Sequence, residues 1–359
     1  MTILFAGGGT GGHLYPAIAI AEEILKINPN NRVVFVGTRT KIEARVVPQK
    51  GFEFHTIWIS GFSRRFTVSN LLFPVKVIVS LIQSFFLIRS VRPDAVLGTG
   101  GYVSGPVLFV ASLMGIPTVI HESNSYPGVT TRILASRATK VLITFEVTKR
   151  WLSSSASVEV AGNPTRGELS AVTRSEGSRF FGLDPARKTL LVFGGSLGAA
   201  SINRVMPSVV EHADSKGYQI IWQTGESDHA AAATVKHHPG IAIVRYLDRM
   251  DCAYAAADLI ICRSGATTLA ELTRLGKPAI LVPYPHAAAN HQELNAQAMV
   301  DAGAARMVRD SELPVALLKT VHEVLHNDSV LAEMSTRSSA LGKPDAGIEI
   351  AKKLIAMKR

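Results

Sequence analysis

Short apolar runs alternate with longer stretches of helical period along most of the chain. In the first half the runs are RVVFVG, DAVLGTG, PTVIHE, KVLITF and SVEVAG, and in the second half they are TLLVFGG, QIIWQTG, IAIVRYL, DLIICRSG and PAILVPY. They are continuous in β-favouring apolar residues, which is the pattern of strands covered on both faces. The pattern therefore predicts an α/β protein with a parallel sheet in each half.

The two halves are predicted to be separate domains, because 359 residues are more than one hydrophobic core usually supports. The segment between them, AGNPTRGELSAVTRSEGSRFFGLDPARK, is rich in Gly, Ser, Pro and charge, which predicts a linker beginning near Asn163. Near the C-terminal end, KPDAGIEIAKKLIAMKR combines a Pro suited to a first helical turn with apolar residues at helical spacing. We therefore predict domains at 1–163 and 164–343 and an amphipathic helix at 344–359.

A different pattern lies between residues 61 and 92, the most apolar region of the chain. On a helix, Lys76, Ser80 and Gln83 would form one narrow polar stripe and leave most of the surface apolar. Only twelve residues separate Lys76 from Arg89, whereas a membrane span needs about twenty. Such a helix is either buried in the core or lies on a membrane, and the flanking basic and aromatic residues favour an anionic membrane surface. The predicted membrane face comprises Arg64, Arg65, Phe66, Lys76, Phe85, Phe86 and Arg89.

Composition and charge narrow the function classes. A formal charge of +10 indicates an anionic partner, but the chain has no zinc finger, RNP-type strand or long basic helix, so we expect no nucleic acid. Two cysteines, Cys252 and Cys262, are too few for a disulfide scaffold. With no secretory signal readable, we expect a cytoplasmic protein.

Four strand-like runs lead into glycine-containing turns followed by helices: FAGGGTGGH, LGTGGYVSGP, VFGGSLGA and CRSGATTLAEL. A glycine turn lets backbone N–H groups approach a ligand, and the helix N-terminus that follows favours an anion. Tight turns between strand and helix need glycine for geometric reasons as well. Four such turns together favour phosphate or pyrophosphate ligands.

The first turn also matches a dinucleotide fingerprint through Gly7, Gly9 and Gly12. The second predicted strand ends in Thr38 and Arg39 instead of the acidic residue that NAD requires. An NADP enzyme stays open on this pattern, with no evident role for His13. The chain has no H-E-x-x-H motif, no Cys/His cluster and no D-x-D pair, so we expect no metal site and assign charge neutralisation to helix N-termini and basic side chains.

Taken together, GGTGGH, GGYVSGP, HESN, GGSLGA, CRSGATTLAE and NHQELNA occur in the order seen in the MurG family of peptidoglycan N-acetylglucosaminyltransferases, which the chain resembles over nearly its whole length. The resemblance implies a GT-B architecture, two Rossmann-like parallel-sheet domains facing a cleft, with the C-terminal helix returning to the first domain. It also implies inverting transfer of N-acetylglucosamine from UDP-GlcNAc to the C4 hydroxyl of the muramyl sugar of lipid I, giving lipid II. No cofactor is implied.

The resemblance assigns the first domain to the acceptor and the membrane and the second to UDP-GlcNAc. It implies an enzyme on the cytoplasmic face of the bacterial plasma membrane, with proteins of cell-wall synthesis and division as further partners. The implied acceptor diphosphate contacts are Gly8, Gly9, Gly100, Gly101, Tyr102, Ser104 and Gly105. The implied donor contacts are Thr10, Gly11, Gly12, Asn124, Arg166, Ser196, Leu247, Ala266, Thr267, Thr268, Leu269, Ala270, Glu271 and Gln292, with Glu271 on the ribose hydroxyls.

The sequence departs from the family pattern at three positions: Leu197 stands for the usual Gln in GGSQGA, Ser123 for Gln in HEQN, and Thr267 for Leu after SGA. Backbone contacts survive such changes, and side-chain contacts from these positions do not carry over. Read singly, Asn124 could cap a loop, Glu271 could be an exposed helix residue and Leu247 could belong to the core.

His13 is the candidate catalytic base, because direct displacement needs a group that removes the proton of the attacking hydroxyl, and imidazole titrates near neutrality. A capping or substrate-binding role for His13 stays open, and His121 is the second candidate base. Two other functions also stay open: a UDP-sugar epimerase on the same fold, and a non-catalytic membrane scaffold that kept the nucleotide site.

Overall fold

The structure is a computed structural model that describes residues 1–61, 72–165, 167–195, 197–235 and 239–357, and its contacts divide the chain into two units. The first unit comprises Met1–Thr165 with Pro344–Arg359, and the second comprises Arg166–Lys343. The change of unit after Thr165 lies close to the linker expected to begin near Asn163. Each unit contains one parallel sheet, which confirms the fold class predicted from the apolar runs.

The first unit has a seven-stranded parallel sheet in the order β3-β2-β1-β4-β5-β6-β7. Its strands are β1 Thr2–Gly7, β2 Arg32–Gly37, β3 Glu53–Thr56, β4 Ala95–Gly100, β5 Thr118–Glu122, β6 Lys140–Ile143 and β7 Val158–Val160. Its helices are α1 Gly11–Ile27, α2 Ile42–Gln49, α3 Phe73–Val91, α4 Ser104–Leu113, α5 Val129–Leu134 and, at the C-terminal end, α14 Ala346–Ala356, with a 3₁₀ helix at Glu146–Trp151. The strand order reverses between β1 and β4, and ligands of open α/β sheets bind at such a switch point.

The second unit repeats this scheme with six parallel strands in the order β10-β9-β8-β11-β12-β13. The strands are β8 Thr189–Phe193, β9 Gln219–Gln223, β10 Ile241–Val244, β11 Leu259–Cys262, β12 Ala279–Leu281 and β13 Ala305–Met307. The helices are α6 Arg174–Phe180, α7 Ala200–Lys216, α8 His229–Ala232, α9 Met250–Ala256, α10 Ala266–Arg274, α11 His291–Asp301, α12 Leu313–Leu325 and α13 Asp328–Leu341, with 3₁₀ helices at Gly167–Ser170, Ala288–Asn290 and Asp310–Glu312. The switch point lies between β8 and β11.

The four glycine turns follow β1, β4, β8 and β11, the strands that flank the two switch points. Strands at the centre of a sheet are buried on both faces, which explains the continuous apolar runs before each turn. The fold therefore places two glycine turns side by side in each unit.

The helix α14 packs on the first unit. Its Ile350, Ala351 and Leu354 are buried in one apolar cluster with Ile20 and Ile24 of α1. This packing agrees with the helix expected at 344–359, and it means that the core of the first unit is built from both ends of the described chain.

The helix α3 turns its polar stripe toward the protein and one group of its apolar side chains toward solvent, while Ile88 and Val91 are buried in the core of the first unit. Lys76 Nζ donates to Ser60 Oγ at 2.9 Å, Gln83 Oε1 accepts from the Trp58 amide at 2.7 Å, and Ser80 is fully buried. The exposed apolar side chains are Val75, Ile78, Ile82, Phe85 and Phe86.

The helix is therefore only partly enclosed by the core, and its membrane face stays a prediction. Among the described residues, α3 is also the one helix long and apolar enough, by length and composition alone, to cross a membrane. Arg64, Arg65 and Phe66 of the predicted membrane face lie outside the described residues.

Candidate functional site

The two glycine turns of the first unit lie against each other. Gly8, Gly9, Gly100 and Gly101 all have positive φ, between 82° and 153°. A Cβ atom on Gly101 would lie 2.5 Å from the carbonyl oxygen of Gly8, so the close approach of the two turns requires glycine there. Five of the seven predicted acceptor positions are glycines, and the other two, Tyr102 and Ser104, each adjoin one.

His13 lies in the first turn of α1, between the two glycine turns. Its Nδ1 is 3.2 Å from the Gly8 carbonyl oxygen and 3.3 Å from Thr10 Oγ1. Its ring lies against Gly100, where a Cβ atom would come within 2.9 Å of His13 Nε2. Because a carbonyl oxygen only accepts hydrogen bonds, the neutral imidazole carries its proton on Nδ1 and has its lone pair on Nε2.

The predicted acceptor residues Tyr102 and Ser104 differ in exposure. Tyr102 is an exposed aromatic side chain, and its ring packs on Gly61. Ser104 is buried, and its hydroxyl lies 2.6 Å from the Ala6 carbonyl oxygen and accepts from the Gly100 amide at 3.1 Å. The Ser104 side chain therefore joins β1 to the second glycine turn, which leaves only backbone groups at this position for a ligand.

The segment after β5 holds Asn124 through a buried carboxylate. Glu122 Oε1 accepts from the Asn124 amide at 3.1 Å, while Oε2 accepts from the Gly128 amide at 2.9 Å and from Thr131 Oγ1 at 2.7 Å. Ser123, which departs from the family pattern, is buried and donates to Asn163 Oδ1 at 3.2 Å. The backbone of Asn124 is therefore held by Glu122, and the donor contact predicted for its side chain stays a prediction.

His121, the second candidate base, is buried in the sheet. Its Nε2 is 2.9 Å from the Gly162 carbonyl oxygen, and its Nδ1 has no hydrogen-bond partner within the described part of the chain. Burial lowers the pKa of His121, since desolvation disfavours the imidazolium. An imidazole at this depth is less accessible to a substrate hydroxyl than that of His13.

The third glycine turn joins β8 to α7 in the second unit. Gly195 and Gly198 have φ values of 96° and 78°, and a Cβ atom on Gly195 would meet no atom within 4 Å. Leu197, where the family pattern has Gln, is 85% exposed. Ser196 and Arg166, two of the predicted donor contacts, lie outside the described residues.

The fourth turn leads from β11 into α10, which contains the predicted donor run Ala266 to Glu271. Gly265 before it has open space where a Cβ atom would lie. Ala266 and Leu269 are buried, and Thr267 Oγ1 is buried without a hydrogen-bond partner among the described residues. The run therefore offers a ligand mainly its helix N-terminus.

Glu271 is buried rather than an exposed helix residue. Its Oε2 accepts a hydrogen bond from the Tyr254 hydroxyl at 2.9 Å. Nearby, Gln292 Oε1 accepts from the Tyr284 amide at 3.0 Å, and Ser264 donates to the Gln292 carbonyl oxygen at 2.7 Å. Leu247 is buried, and its predicted donor contact stays a prediction.

Two charged residues at these turns were missed by the sequence analysis. Glu43 of α2 accepts from the Gly9 amide at 2.8 Å, and Arg263 after β11 donates to Asp310 Oδ1 at 2.6 Å and to Ser201 Oγ at 2.8 Å. Each holds a turn to an element distant in sequence. The charge of Arg263 two residues before Gly265 could have pointed to that residue, whereas no local signal marks Glu43.

The described residues contain no group of three or more His, Cys, Asp or Glu side chains suited to a metal ion. Cys252 and Cys262 are buried free thiols, and burial raises the pKa of both. Neither thiol is therefore poised as a nucleophile at neutral pH.

Two family models match the chain. The glycosyltransferase family 28 N-terminal domain matches residues 3–143, and the glycosyltransferase family 28 C-terminal domain matches residues 189–350. A relative from Prosthecochloris aestuarii is 44% identical over 99% of both chains, and one from Chlorobaculum parvum is 44% identical over 100% of both. Both carry the name UDP-N-acetylglucosamine–N-acetylmuramyl-(pentapeptide) pyrophosphoryl-undecaprenol N-acetylglucosamine transferase.

Solved structures agree with this likeness. The crystal structure of Acinetobacter baumannii MurG matches with a TM-score of 0.80 and 27% identity over 99% of both chains. A UDP-GlcNAc 2-epimerase from Neisseria meningitidis matches with a TM-score of 0.67 at 15% identity, covering 99% of this chain and 100% of the epimerase. The second likeness shows the fold alone.

Proposed function

The chain belongs to glycosyltransferase family 28, and on that premise we propose that it transfers N-acetylglucosamine from UDP-GlcNAc to the C4 hydroxyl of MurNAc in lipid I, which yields lipid II. It is a glycosyltransferase of the GT-B fold and of peptidoglycan synthesis. Lipid I is undecaprenyl-pyrophosphoryl MurNAc-pentapeptide, and the names of the relatives contain this acceptor.

The observation that carries the mechanism is the placement of His13. With its proton on Nδ1 near the Gly8 carbonyl oxygen, Nε2 presents a lone pair. We assign to Nε2 the removal of the proton from the C4 hydroxyl as that oxygen attacks the anomeric carbon of the donor sugar. The bond between that carbon and the diphosphate oxygen breaks, UDP departs, and the configuration at carbon inverts.

The departing UDP acquires negative charge, and in this proposal the helix N-termini after the third and fourth glycine turns stabilise it. The helix α7 begins at Ala200 and α10 at Ala266, and the N-terminus of a helix bears about half a unit of positive charge. Glu271 is proposed to accept hydrogen bonds from the ribose, and Gln292 and Asn124 to contact the sugar. Ser196 and Arg166 keep their proposed donor roles from the family motif.

The acceptor diphosphate is proposed to bind the two glycine turns of the first unit. The exposed apolar side chains of α3 support membrane attachment beside this site, since the lipid of the acceptor must stay in a bilayer. We propose that the protein acts on the cytoplasmic face of the bacterial plasma membrane, with proteins of cell-wall synthesis and division as partners. Basic residues around α3 would add attraction to anionic headgroups.

The epimerase alternative is disfavoured. Its support is a shared fold at 15% identity, whereas full-length relatives at 44% identity are named as transferases. An epimerase also has no use for the exposed apolar face of α3.

The deciding experiment incubates the protein with labelled UDP-GlcNAc and a lipid I analogue and identifies the product. The expected product carries the label on the acceptor, and release of a free epimerised sugar would contradict the proposal. His13→Ala should lower kcat by roughly 10² to 10⁴ while donor affinity stays nearly unchanged. His55→Ala, an exposed histidine of the same unit, is the matched control. Near wild-type turnover of His13→Ala would remove His13 from the mechanism.

A further inference from the structure

We propose that Glu43 is a positioning residue for the reaction, and that it sets the imidazole of His13 through the single peptide unit that joins Gly8 to Gly9. The inference rests on the proposed role of His13 as the catalytic base. Glu43 itself does not touch the substrate in this proposal, because its side chain is fully buried behind the first glycine turn.

The first step concerns the hydrogen bonds that the Glu43 carboxylate accepts. Oε2 accepts from the Gly9 amide at 2.8 Å, and Oε1 accepts from the amide and the hydroxyl of Thr38 at 3.0 and 2.8 Å. No ion pair to Glu43 occurs among the described residues, so these N–H and O–H donors are what stabilise its buried charge. A buried carboxylate held in this way binds its donors strongly, since losing one leaves charge without compensation.

The second step is the geometry of the peptide between Gly8 and Gly9. The described part of the chain has no cis peptide bond, and in a trans peptide the N–H and C=O groups point to opposite sides of the chain. The Gly9 N–H points to Glu43, and the Gly8 C=O on the other side lies 3.2 Å from His13 Nδ1. The Gly8–Gly9 peptide therefore links the Glu43 carboxylate on one side to the His13 imidazole on the other.

The third step is the space that the carboxylate occupies. A Cβ atom on Gly8 would collide with the carboxyl group of Glu43, and one on Gly37 would collide with its Cγ. Two glycines from different elements thus make room for one acidic side chain directly behind the turn. Because the Glu43 side chain fits closely against Gly8 and Gly37, it fixes the orientation of the Gly8–Gly9 peptide plane.

The consequence is a fixed orientation and tautomer for His13. The Gly8 carbonyl holds the proton on Nδ1 and leaves the lone pair on Nε2, where a base needs it. A hydrogen bond to a carboxylate at the N–H end polarises the same peptide and strengthens its carbonyl as an acceptor. When Nε2 takes the substrate proton, this polarised carbonyl faces the resulting imidazolium.

The test uses Glu43→Gln in the full-length protein. Gln has nearly the same volume, but its NH₂ group must face either the Gly9 or the Thr38 amide, so one acceptor is replaced by a donor. We expect kcat to fall roughly 10- to 100-fold, as is usual when the group that orients a reacting histidine is lost, with KM for UDP-GlcNAc within about 2-fold. The double variant with His13→Ala should be no slower than His13→Ala alone, because a residue that acts through His13 has nothing to position without it.

A spectroscopic readout tests the same inference without any turnover. In ¹⁵N-edited NMR at alkaline pH, the His13 signal is identified by its loss in His13→Ala, and its two ring nitrogens report the tautomer. Wild type should show the proton on Nδ1, and Glu43→Gln should shift the population toward Nε2. Glu53→Gln, an exposed carboxylate that pairs with Arg32 in the same unit, is the control and should change neither tautomer nor kcat.

The outcomes separate this inference from the proposed function. A wild-type His13 protonated on Nε2 would overturn the inference even if Glu43→Gln failed to fold, and so would an unchanged tautomer in a folded Glu43→Gln. A further loss of rate on adding Glu43→Gln to His13→Ala would assign Glu43 a purely structural role. If wild type lacked transferase activity, the proposed function would fail while the tautomer comparison would still decide the role of Glu43.

Discussion

At the scale of single residues, charged side chains support two of the glycine turns and the loop of Asn124, and two of these side chains, Glu43 and Glu122, are buried. Glu43 holds the first turn, Glu122 the loop of Asn124, and Arg263 the start of α10. Glu43 and Arg263 bind groups that are distant in sequence, 34 residues away at Gly9 and 47 at Asp310. The donors to Glu122 lie only two to nine residues further along the chain. Turns that present their N–H groups to a ligand therefore have a fixed support on the other side, which reduces the reorganisation needed on binding.

Glu271→Ala should weaken UDP and UDP-GlcNAc alike, by about 1.5 to 3 kcal/mol, because a carboxylate would lose charge-assisted hydrogen bonds to the ribose that both ligands share. Tyr254→Phe removes the hydroxyl that donates to Glu271 but keeps the carboxylate, and it should change both affinities far less. Calorimetric titration of both ligands into wild type and the two variants, with EDTA present, measures these affinities. Unaltered UDP affinity in Glu271→Ala would end its ribose role, and loss of wild-type binding in EDTA would end the proposal of metal independence.

Lys277 should make the second unit more stable as the pH rises from about 8 toward 10. Burial lowers the pKa of Lys277 from 10.5 to about 8, and its Nζ donates to the Ala257 carbonyl oxygen at 2.8 Å. Because the unfolded chain binds the proton more tightly in this window, deprotonation favours the folded state, and the free energy of unfolding should rise by roughly 1 to 3 kcal/mol.

Urea unfolding at pH 7.5 and 9.5 measures this rise, with Lys277→Met as the comparison. The wild type should gain stability relative to the variant over the interval, and parallel pH dependences would contradict the assignment. The variant is needed as the reference because burial also raises the pKa of Cys252, Cys262 and Tyr218, and each of these groups costs the folded state stability above its ordinary pKa.

At the scale of elements, α3 is the helix whose exposure is least like that of a soluble protein. Its polar side chains bind the segment of Trp58 and Ser60, while Ile82 and Phe86 are 52% and 65% exposed. Exposed apolar area of this extent on one helix marks an interaction surface. Under the proposed function that surface is a membrane.

Replacing Ile82 and Phe86 with Ser should reduce sedimentation of the protein with anionic vesicles, since the variant loses the apolar side chains that would enter the bilayer. Activity on a soluble, short-chain acceptor should persist, because neither residue lies at the glycine turns. The control is Val315→Ser, an exposed apolar position of the second unit. Unchanged sedimentation of a folded double variant would show that α3 faces something other than lipid.

The sequence analysis predicted the central strands and missed two at the edges. The strands β3 and β13 end their sheets and are only partly buried, so EFHT and ARM carry no continuous apolar run. The glycine turns could be predicted because their signal is local in sequence. Glu43 could not be, because its partner Gly9 is 34 residues away and nothing in IEARVVPQ distinguishes a buried carboxylate from a solvated one.

At the scale of the whole molecule, the two units have separate apolar cores and separate parallel sheets. The core of the second unit is built from β8, β9 and β11 with α7 and α12, all from within residues 166–343. Such a unit has what it needs to fold by itself.

Residues 166–343 produced alone should therefore fold cooperatively and bind UDP without a metal, because both proposed diphosphate turns and Glu271 lie within them. Far-UV circular dichroism through a urea transition checks folding, and calorimetry in EDTA checks binding. Cooperative unfolding with no detectable UDP binding would mean that the nucleotide site needs residues from the first unit.

The packing of α14 on α1 has a consequence for the order in which the protein is made. Ile350, Ala351 and Leu354 leave the ribosome only after the entire second unit, yet they complete the apolar cluster that contains Ile20 and Ile24. Until then the nascent first unit exposes an apolar groove along α1, which chaperones can hold, while the second unit can already fold. A chain cut short before Ala346 would thus have a second unit able to fold and a first unit with an incomplete core, which is the kind of product that proteases remove.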